Sequence, residues 1–100
     1  VLVLGTDQTL GPAVHRELEL LQQAGIPPLA LTRIATLNGA IFLGRERDLG
    51  SIAPGKLADA VLLSADPAVD ARHAQAIVAV IKNGVVVDRD GLPLAGERPR

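Results

Sequence analysis

Short apolar runs alternate with amphipathic stretches along the chain, and the first run lies at its start. Val1–Leu4 contains no polar residue, which is typical of a strand buried on both faces in a helix-covered parallel sheet. Asp7 follows at the carboxyl end of this predicted strand, where α/β barrels and open α/β sheets hold catalytic groups. Alternatively, Asp7 caps the following loop or helix. Its position alone leaves both interpretations open.

Helical periodicity follows the first strand. Pro12 is suited to open a helix, and Val14, Leu18 and Leu21 recur at helical spacing until Gly25 ends it. The same periodicity predicts a second helix from Pro28 to Gly44.

The pattern changes to β-type signals after Gly44. Pro54-Gly55 fits a type II turn, and Ala60–Leu63 predicts a strand. A single helical turn is expected in the stretch that follows Asp66-Pro67 and runs through His73. Asn83-Gly84 joins two apolar runs, Ile77–Lys82 and Val85–Asp88, and predicts a β-hairpin.

Composition narrows the possible functions. The 100 residues carry a net charge of −1 with acidic and basic residues interspersed, which excludes a basic nucleic-acid-binding stripe. The apolar runs are too short to span a membrane. The absence of cysteine excludes disulfides and thiolate metal sites, and a soluble protein of the cytoplasm or the periplasm fits equally. Because Val1 lies within a predicted strand, we expect the C-terminal part of a longer chain.

Five stretches together resemble the C-terminal end of the amidohydrolase superfamily, with imidazolonepropionase-like and prolidase-like hydrolases as the most similar members. No single stretch is specific, but their order and spacing over Val1–Asp88 make the resemblance strong. The matching segments are Gly5–Asp7, His15–Leu20, Ala35–Gly44, Gly50–Ala60 and Val80–Val87.

The resemblance implies an α/β fold that is a fragment of a TIM-like (β/α)8 barrel joined to part of a small β-sandwich. Residues 1–44 would form the last barrel strand and its helices, residues 45–89 the C-terminal sandwich strands, and residues 90–100 a flexible tail. By the family pattern, Asp7 would contact a catalytic divalent metal, expected to be zinc, and act as the proton shuttle. The histidines and the bridging ligand of the other strands are missing, so we expect the isolated chain to bind no metal and to be inactive.

The resemblance also places other candidate residues. Gln8, Thr9 and Leu10 follow the predicted barrel strand and either line the substrate mouth or serve only as loop. Structural roles are expected for Thr36 and Asn38, between helix and barrel, and for Lys56 and Asp59, which flank the turn into the sandwich. His15 is interpreted as a helix-surface or packing residue, and His73 as a solvated one.

Two functions of different classes fit these residues. The first is part of a metal-dependent amidohydrolase that hydrolyses an amide, a cyclic amide or a peptide-like C–N bond of a small molecule. The second is a non-catalytic accessory or interaction module, or an inactive split-gene fragment, in which Asp7 is only a cap. Unpaired strand edges lead us to expect self-association or binding to the missing N-terminal part.

Overall fold

A computed structural model describes residues 2–7 and 11–91 of the chain. Three helices come first and a small sheet follows. The helices are α1 (Pro12–Gln23), α2 (Pro28–Ala35) and α3 (Leu37–Phe42), the strands are β1 (Ala60–Leu63), β2 (Ile77–Lys82) and β3 (Val85–Val86), and a 3₁₀ turn spans Ala71–Gln75. The expected tail lies mostly outside the described residues, from 92 onward.

Helix α1 confirms the first helical prediction. Pro12 occupies the first turn, where its missing N–H removes no intrahelical hydrogen bond. Leu18 is buried on the inner face, and Gly25 adopts a φ of +106° just after the helix. Because that conformation favours glycine, the chain can turn there toward Pro28 without strain.

The prediction of one helix from Pro28 to Gly44 is wrong, because Thr36 separates α2 from α3. Thr36 has φ −127° and ψ −84°, outside the helical range. Its hydroxyl donates to the carbonyl oxygen of Thr32 at 2.7 Å, a contact that often bends helices. Gly50 packs so close to α3 that an added Cβ would lie 2.6 Å from the Ala40 Cβ. The break therefore accompanies a tertiary contact with a distant loop, which helical periodicity does not reveal.

The predicted strand at Val1–Leu4 is not formed by its described residues, since residues 2–6 belong to no strand. A strand requires a hydrogen-bonded neighbour, and the sheet of the described chain is built only from β1, β2 and β3. Leu4 nevertheless packs against the core formed by Leu18, Leu31, Ile34 and Ala71. The segment thus lies on the helices without any strand beside it among the described residues.

The sheet is antiparallel, with the strand order β1-β2-β3. Ala60 pairs with Ile81, and Leu62 with Ala79. At the hairpin, Asn83 and Gly84 have φ values of +50° and +79°, the pair of positive angles that a type I′ turn requires. The hairpin prediction is confirmed, although β3 ends at Val86, two residues earlier than expected.

No helix in residues 2–7 and 11–91 is long and apolar enough to cross a membrane.

Candidate functional site

Asp7 is the exposed last residue of the segment that lies on the helices. Its φ of +52° is in the left-handed region, which aspartate and asparagine enter more readily than other non-glycine residues. An exposed carboxylate in this position can accept a proton from a solvent molecule or a ligand. Gln8, Thr9 and Leu10, the predicted pocket residues, lie outside the described residues.

Asn38 links the helical layer to the segment that carries Asp7. The Asn38 Nδ2 donates to the Leu2 carbonyl oxygen at 2.8 Å. The Thr36 hydroxyl instead bonds back to α2, through the contact to Thr32 described above. Of these two residues, Asn38 is the one that the structure brings to the Asp7 segment.

Lys56 and Asp59 lie in the sheet region and do not join Asp7. The Lys56 Nζ donates to the Ser51 Oγ at 2.6 Å. The Asp59 carboxylate accepts from the Lys82 Nζ at 2.9 Å and from the Asn83 backbone N–H at 2.7 Å. The hydrogen bond from Lys82, followed by that from Asn83, lowers the pKa of Asp59. Asp59 therefore holds the hairpin turn as a carboxylate.

Gln22, which the sequence analysis did not single out, joins α1 to the 3₁₀ turn through both ends of its amide. Its Oε1 accepts from the Ala71 backbone N–H at 2.6 Å, and its Nε2 donates to the Asp70 Oδ1 at 3.1 Å. The side-chain hydrogen bond from Arg72 holds the pKa of Asp70 well below its ordinary value, with smaller contributions from the Arg72 backbone and Gln22. Because Gln22 and Asp70 are far apart in sequence, no local pattern could have identified the pair.

A cavity of about 650 Å³ separates the helices from the sheet. Leu31 and Thr36 line it from α2 and the residue that follows, Val61 and Val80 line it from the sheet, and Gly50 lines it from the connecting loop. Asp7 does not line this cavity. The space is thus a gap between two layers, separate from the predicted catalytic residue.

The described residues do not form a metal site by themselves. Residues 2–7 and 11–91 contain no group of three or more His, Cys, Asp or Glu side chains able to hold an ion. A protein-bound transition metal normally has at least three protein ligands. Asp7 can therefore serve as a ligand only alongside groups from outside this part of the chain.

The two histidines have different surroundings. His73 is half-buried, and its Nδ1 donates to the Asp66 carbonyl oxygen at 2.7 Å. His15 is also half-buried, but its Nδ1 is fully enclosed and has no hydrogen-bond partner among the described residues. A polar residue on a helix face gives no sequence signal for such an unpaired atom.

Comparison with known proteins identifies the class. The sequence profile of the amidohydrolase family matches residues 2–88. The chain therefore belongs to the amidohydrolase family, which confirms the resemblance found in the sequence.

Proteins named as deaminases and hydrolases are similar to this chain. "Adenine deaminase 4" of Rhizobium meliloti (strain 1021) is 42% identical over 67 residues, covering 67% of this chain and 10% of that protein. The adenine deaminase of Paracoccus denitrificans (strain Pd 1222) is 45% identical, with the same coverage of both chains. Among solved structures, molinate hydrolase superimposes with a TM-score of 0.83 at 34% identity, covering 92% of this chain and 20% of that one.

A Xaa-Pro dipeptidase solved with methionine in its active site superimposes with a TM-score of 0.79 at 32% identity, covering 85% of this chain and 21% of that one. The chain thus spans about a tenth of the curated relatives that it matches. It spans about a fifth of these two solved structures.

Proposed function

We propose that the chain is the C-terminal part of a metal-dependent amidohydrolase that hydrolyses an amide, cyclic amide or peptide-like C–N bond of a small molecule. The family match across residues 2–88 carries this proposal, because it includes Asp7 and both structural layers. Relatives named as a deaminase, a hydrolase and a dipeptidase support hydrolysis as the reaction.

The proposal assigns one architecture to each region of the chain. Residues 1–44 contribute the last strand and helices of a (β/α)8 barrel, residues 45–89 contribute strands to a small β-sandwich, and residues 90–100 form the tail. The packing of Leu4 onto the helices supports the first assignment. The separate antiparallel sheet supports the second.

Asp7 is the residue to which we assign the proton transfer. Its carboxylate takes a proton from water as the water oxygen bonds to the substrate carbon of the C–N bond, and then gives that proton to the nitrogen as this bond breaks. The exposure of Asp7 fits this role, because a shuttle must reach both water and substrate. A divalent metal, expected to be zinc, is part of the proposal for the complete protein only. The isolated chain is then inactive.

The substitution Asp7→Asn tests this assignment in the complete protein. Candidate substrates named by the relatives are adenine, a Xaa-Pro dipeptide and molinate. With whichever of these the wild type hydrolyses, we expect kcat to fall by about 10²–10⁴-fold, the usual cost of losing a general acid/base. The melting temperature should change little, because asparagine tolerates the positive φ of Asp7 and caps equally well.

Near-wild-type turnover by Asp7→Asn would overturn the catalytic role and leave Asp7 as a cap. Absence of hydrolysis in the wild type with every substrate of this set would count against the amidohydrolase proposal as stated. It would favour the accessory or interaction module instead.

We also propose that the 100-residue chain does not persist as a tight monomer, because β1 is an edge strand and its Val61 and Leu62 side chains are each more than half exposed. A second copy or the missing N-terminal part would cover this edge. Sedimentation velocity at several concentrations should therefore reveal association. A concentration-independent monomer with a sharp thermal transition would contradict this.

A further inference from the structure

The hydrogen bond between Asn38 and Leu2 reaches across 36 positions of the chain, from α3 to the segment that carries Asp7. The Asn38 Nδ2 donates to the Leu2 carbonyl oxygen at 2.8 Å. Residues 2–6 belong to no strand, and the sheet of the described chain is built elsewhere, from β1, β2 and β3. The Asn38 amide therefore ties the backbone of this segment, residues 2–7, to the helical layer.

A second contact holds the same segment, but it is of a different kind. Leu4 packs against the core, which includes Leu31 and Ile34 of α2. Apolar packing is non-directional, so by itself it lets the segment slide along the helices. A hydrogen bond instead restricts its donor and acceptor to a separation of about 2.7–3.2 Å and to a narrow range of angles. The Asn38 amide therefore fixes a position along the segment that the packing of Leu4 leaves free.

Asn38 is itself held by the packing of its helix. It is half-buried in α3, two positions before Ala40, which is buried. Gly50 lies so close to Ala40 that a Cβ added to this glycine would lie 2.6 Å from the Ala40 Cβ. A donor on a helix that is fixed in this way can set the position of the segment to which it bonds.

The position of the segment determines the position of the Asp7 carboxylate. Asp7 lies roughly 10 Å beyond Leu4 along an extended chain. Because the backbone between them is continuous, a slide of the segment carries Asp7 with it. A catalytic group misplaced by about 1 Å can lower a rate about 100-fold. The contacts at Leu2 and Leu4 thus bear on the reaction that we assign to Asp7.

We propose that Asn38 is a positioning residue for Asp7, an inference that rests on the proposed function. The Asn38 amide contacts the Leu2 end of the segment and acts on the Asp7 end through the backbone between them. It takes no part in the proton transfer. In the proposed barrel, neighbouring strands hold residues 2–6 within the barrel wall, whereas Asn38 holds them against the helices outside it.

Two substitutions of Asn38 separate loss of the donor from change of the side chain. Asn38→Leu is similar in size and has no donor, whereas Asn38→Gln retains the amide on a longer side chain. Leucine and glutamine both form helices better than asparagine, so neither should weaken α3. In the complete enzyme, we expect Asn38→Leu to lower kcat by about tenfold with KM little changed, as for a misplaced catalytic group. Asn38→Gln should recover most of this loss, and equal losses in both variants would overturn the role of the amide.

Thr32→Val is the matched control. The Thr32 Oγ1 donates to the Pro28 carbonyl oxygen at 3.1 Å within α2. Valine has the same shape, so this substitution removes a partly buried hydrogen bond of the helical layer that does not involve the Asp7 segment. We expect its kcat to equal that of the wild type. A loss as large as that of Asn38→Leu would overturn the specific role of Asn38.

A double-mutant cycle tests whether Asn38 acts through Asp7. If it does, Asn38→Leu should have no further effect on the residual rate of Asp7→Asn. An equal factor in both backgrounds would show an effect that is independent of Asp7, and would overturn the inference. Thermal melts of all four proteins, with assays well below every transition, keep loss of folded protein out of the comparison.

Hydrogen exchange in the complete protein separates failure of this inference from failure of the proposed function. The amides of residues 3–7 should exchange about tenfold faster in Asn38→Leu than in the wild type, and no faster in Thr32→Val. Unchanged exchange in Asn38→Leu would overturn the inference whether or not the enzyme is active.

Activity then distinguishes the remaining outcomes. If exchange is faster but the wild type hydrolyses none of adenine, a Xaa-Pro dipeptide or molinate, the proposed function as stated fails. The positioning role is overturned with it, although Asn38 still anchors the segment. If the wild type is active and Asp7→Asn is not, while Asn38→Leu has the kcat of the wild type, only the positioning role is overturned.

Discussion

The helical region and the sheet region share similar apolar residues but bury them very differently. In the helices, Leu31 is completely buried and Leu18 and Ile34 are nearly so. In the sheet, Val61 and Leu62 of β1 are 53% and 55% exposed, and Val86 of β3 is 66% exposed. The helical region thus has its own core, whereas the sheet depends on backbone hydrogen bonds and turn geometry.

This difference in burial shows which region can form a core from its own elements and which needs a further layer. Helices α1 and α2 can cover each other, and the 3₁₀ turn completes their core through Ala71. A three-stranded sheet that is apolar on both faces needs a layer on each side. The 650 Å³ gap on one face indicates that the described helices do not fill that layer. Substitutions in the two regions should therefore have unequal consequences.

The largest expected effect on stability comes from Leu31→Ala. Truncating a completely buried leucine should lower the free energy of unfolding by about 2–5 kcal/mol, measured by urea denaturation. Leu62→Ala is the matched control, because the same side chain is 55% exposed in β1. At protein concentrations below those at which the chain associates, we expect the control to cost less than about 1 kcal/mol. Equal losses would mean that the face of Leu62 is covered in solution, and would remove the contrast between the regions.

The sheet region was nevertheless the more predictable of the two. Asn83-Gly84 and Pro54-Gly55 specify their turns through local backbone preferences, and the structure has positive φ at Asn83, Gly84 and Gly55. The predicted bounds of β1, Ala60–Leu63, were also correct, because polar residues precede and follow this apolar run. Local chemistry determines these features, so they appear in the sequence without knowledge of the fold.

The features that were predicted wrongly depend on contacts with residues that are remote in sequence. The break at Thr36 coincides with the packing of Gly50 on α3, fourteen residues along the chain. The strand expected at Val1–Leu4 needs a neighbouring strand that the described residues do not supply. The candidate site shares this limit, since Asp7 was proposed from the family pattern and the described residues do not gather a group of metal ligands around it.

Gly50→Ala tests the contact between α3 and the loop that leads to the sheet, and it should have the next largest effect. Its Cβ would lie 2.6 Å from the Ala40 Cβ and 2.9 Å from the Leu37 Cα, at a φ of +92°. Overpacking and backbone strain together should cost about 2–4 kcal/mol in thermal or urea denaturation. Gly55→Ala has similar strain, with φ +87° but open space around it, and should cost about 1–2 kcal/mol. A Gly50 variant no worse than the Gly55 variant would show that the close packing is absent in solution.

The smallest of these losses of stability is expected where Gln22 connects α1 to the 3₁₀ turn. Gln22→Ala removes the acceptor of the Ala71 N–H and one donor to Asp70, and leaves a partly buried N–H unpaired. The free energy of unfolding should fall by about 1–3 kcal/mol. Urea denaturation measures this loss.

The neighbouring glutamine, Gln23, provides the control for the Gln22 substitution. Gln23 is exposed and donates to Glu19 within its own helix at 3.3 Å, so Gln23→Ala should change stability by no more than about 0.5 kcal/mol. Hydrogen exchange adds the regional readout. Because Gln22 connects the helical core to the turn that precedes β2, Gln22→Ala should speed exchange of the Ala71 amide before it affects the interior of α1. Uniform acceleration of exchange across both regions would show that they unfold as one unit. Loss of the Gln22 hydrogen bonds would then not destabilise the 3₁₀ turn separately.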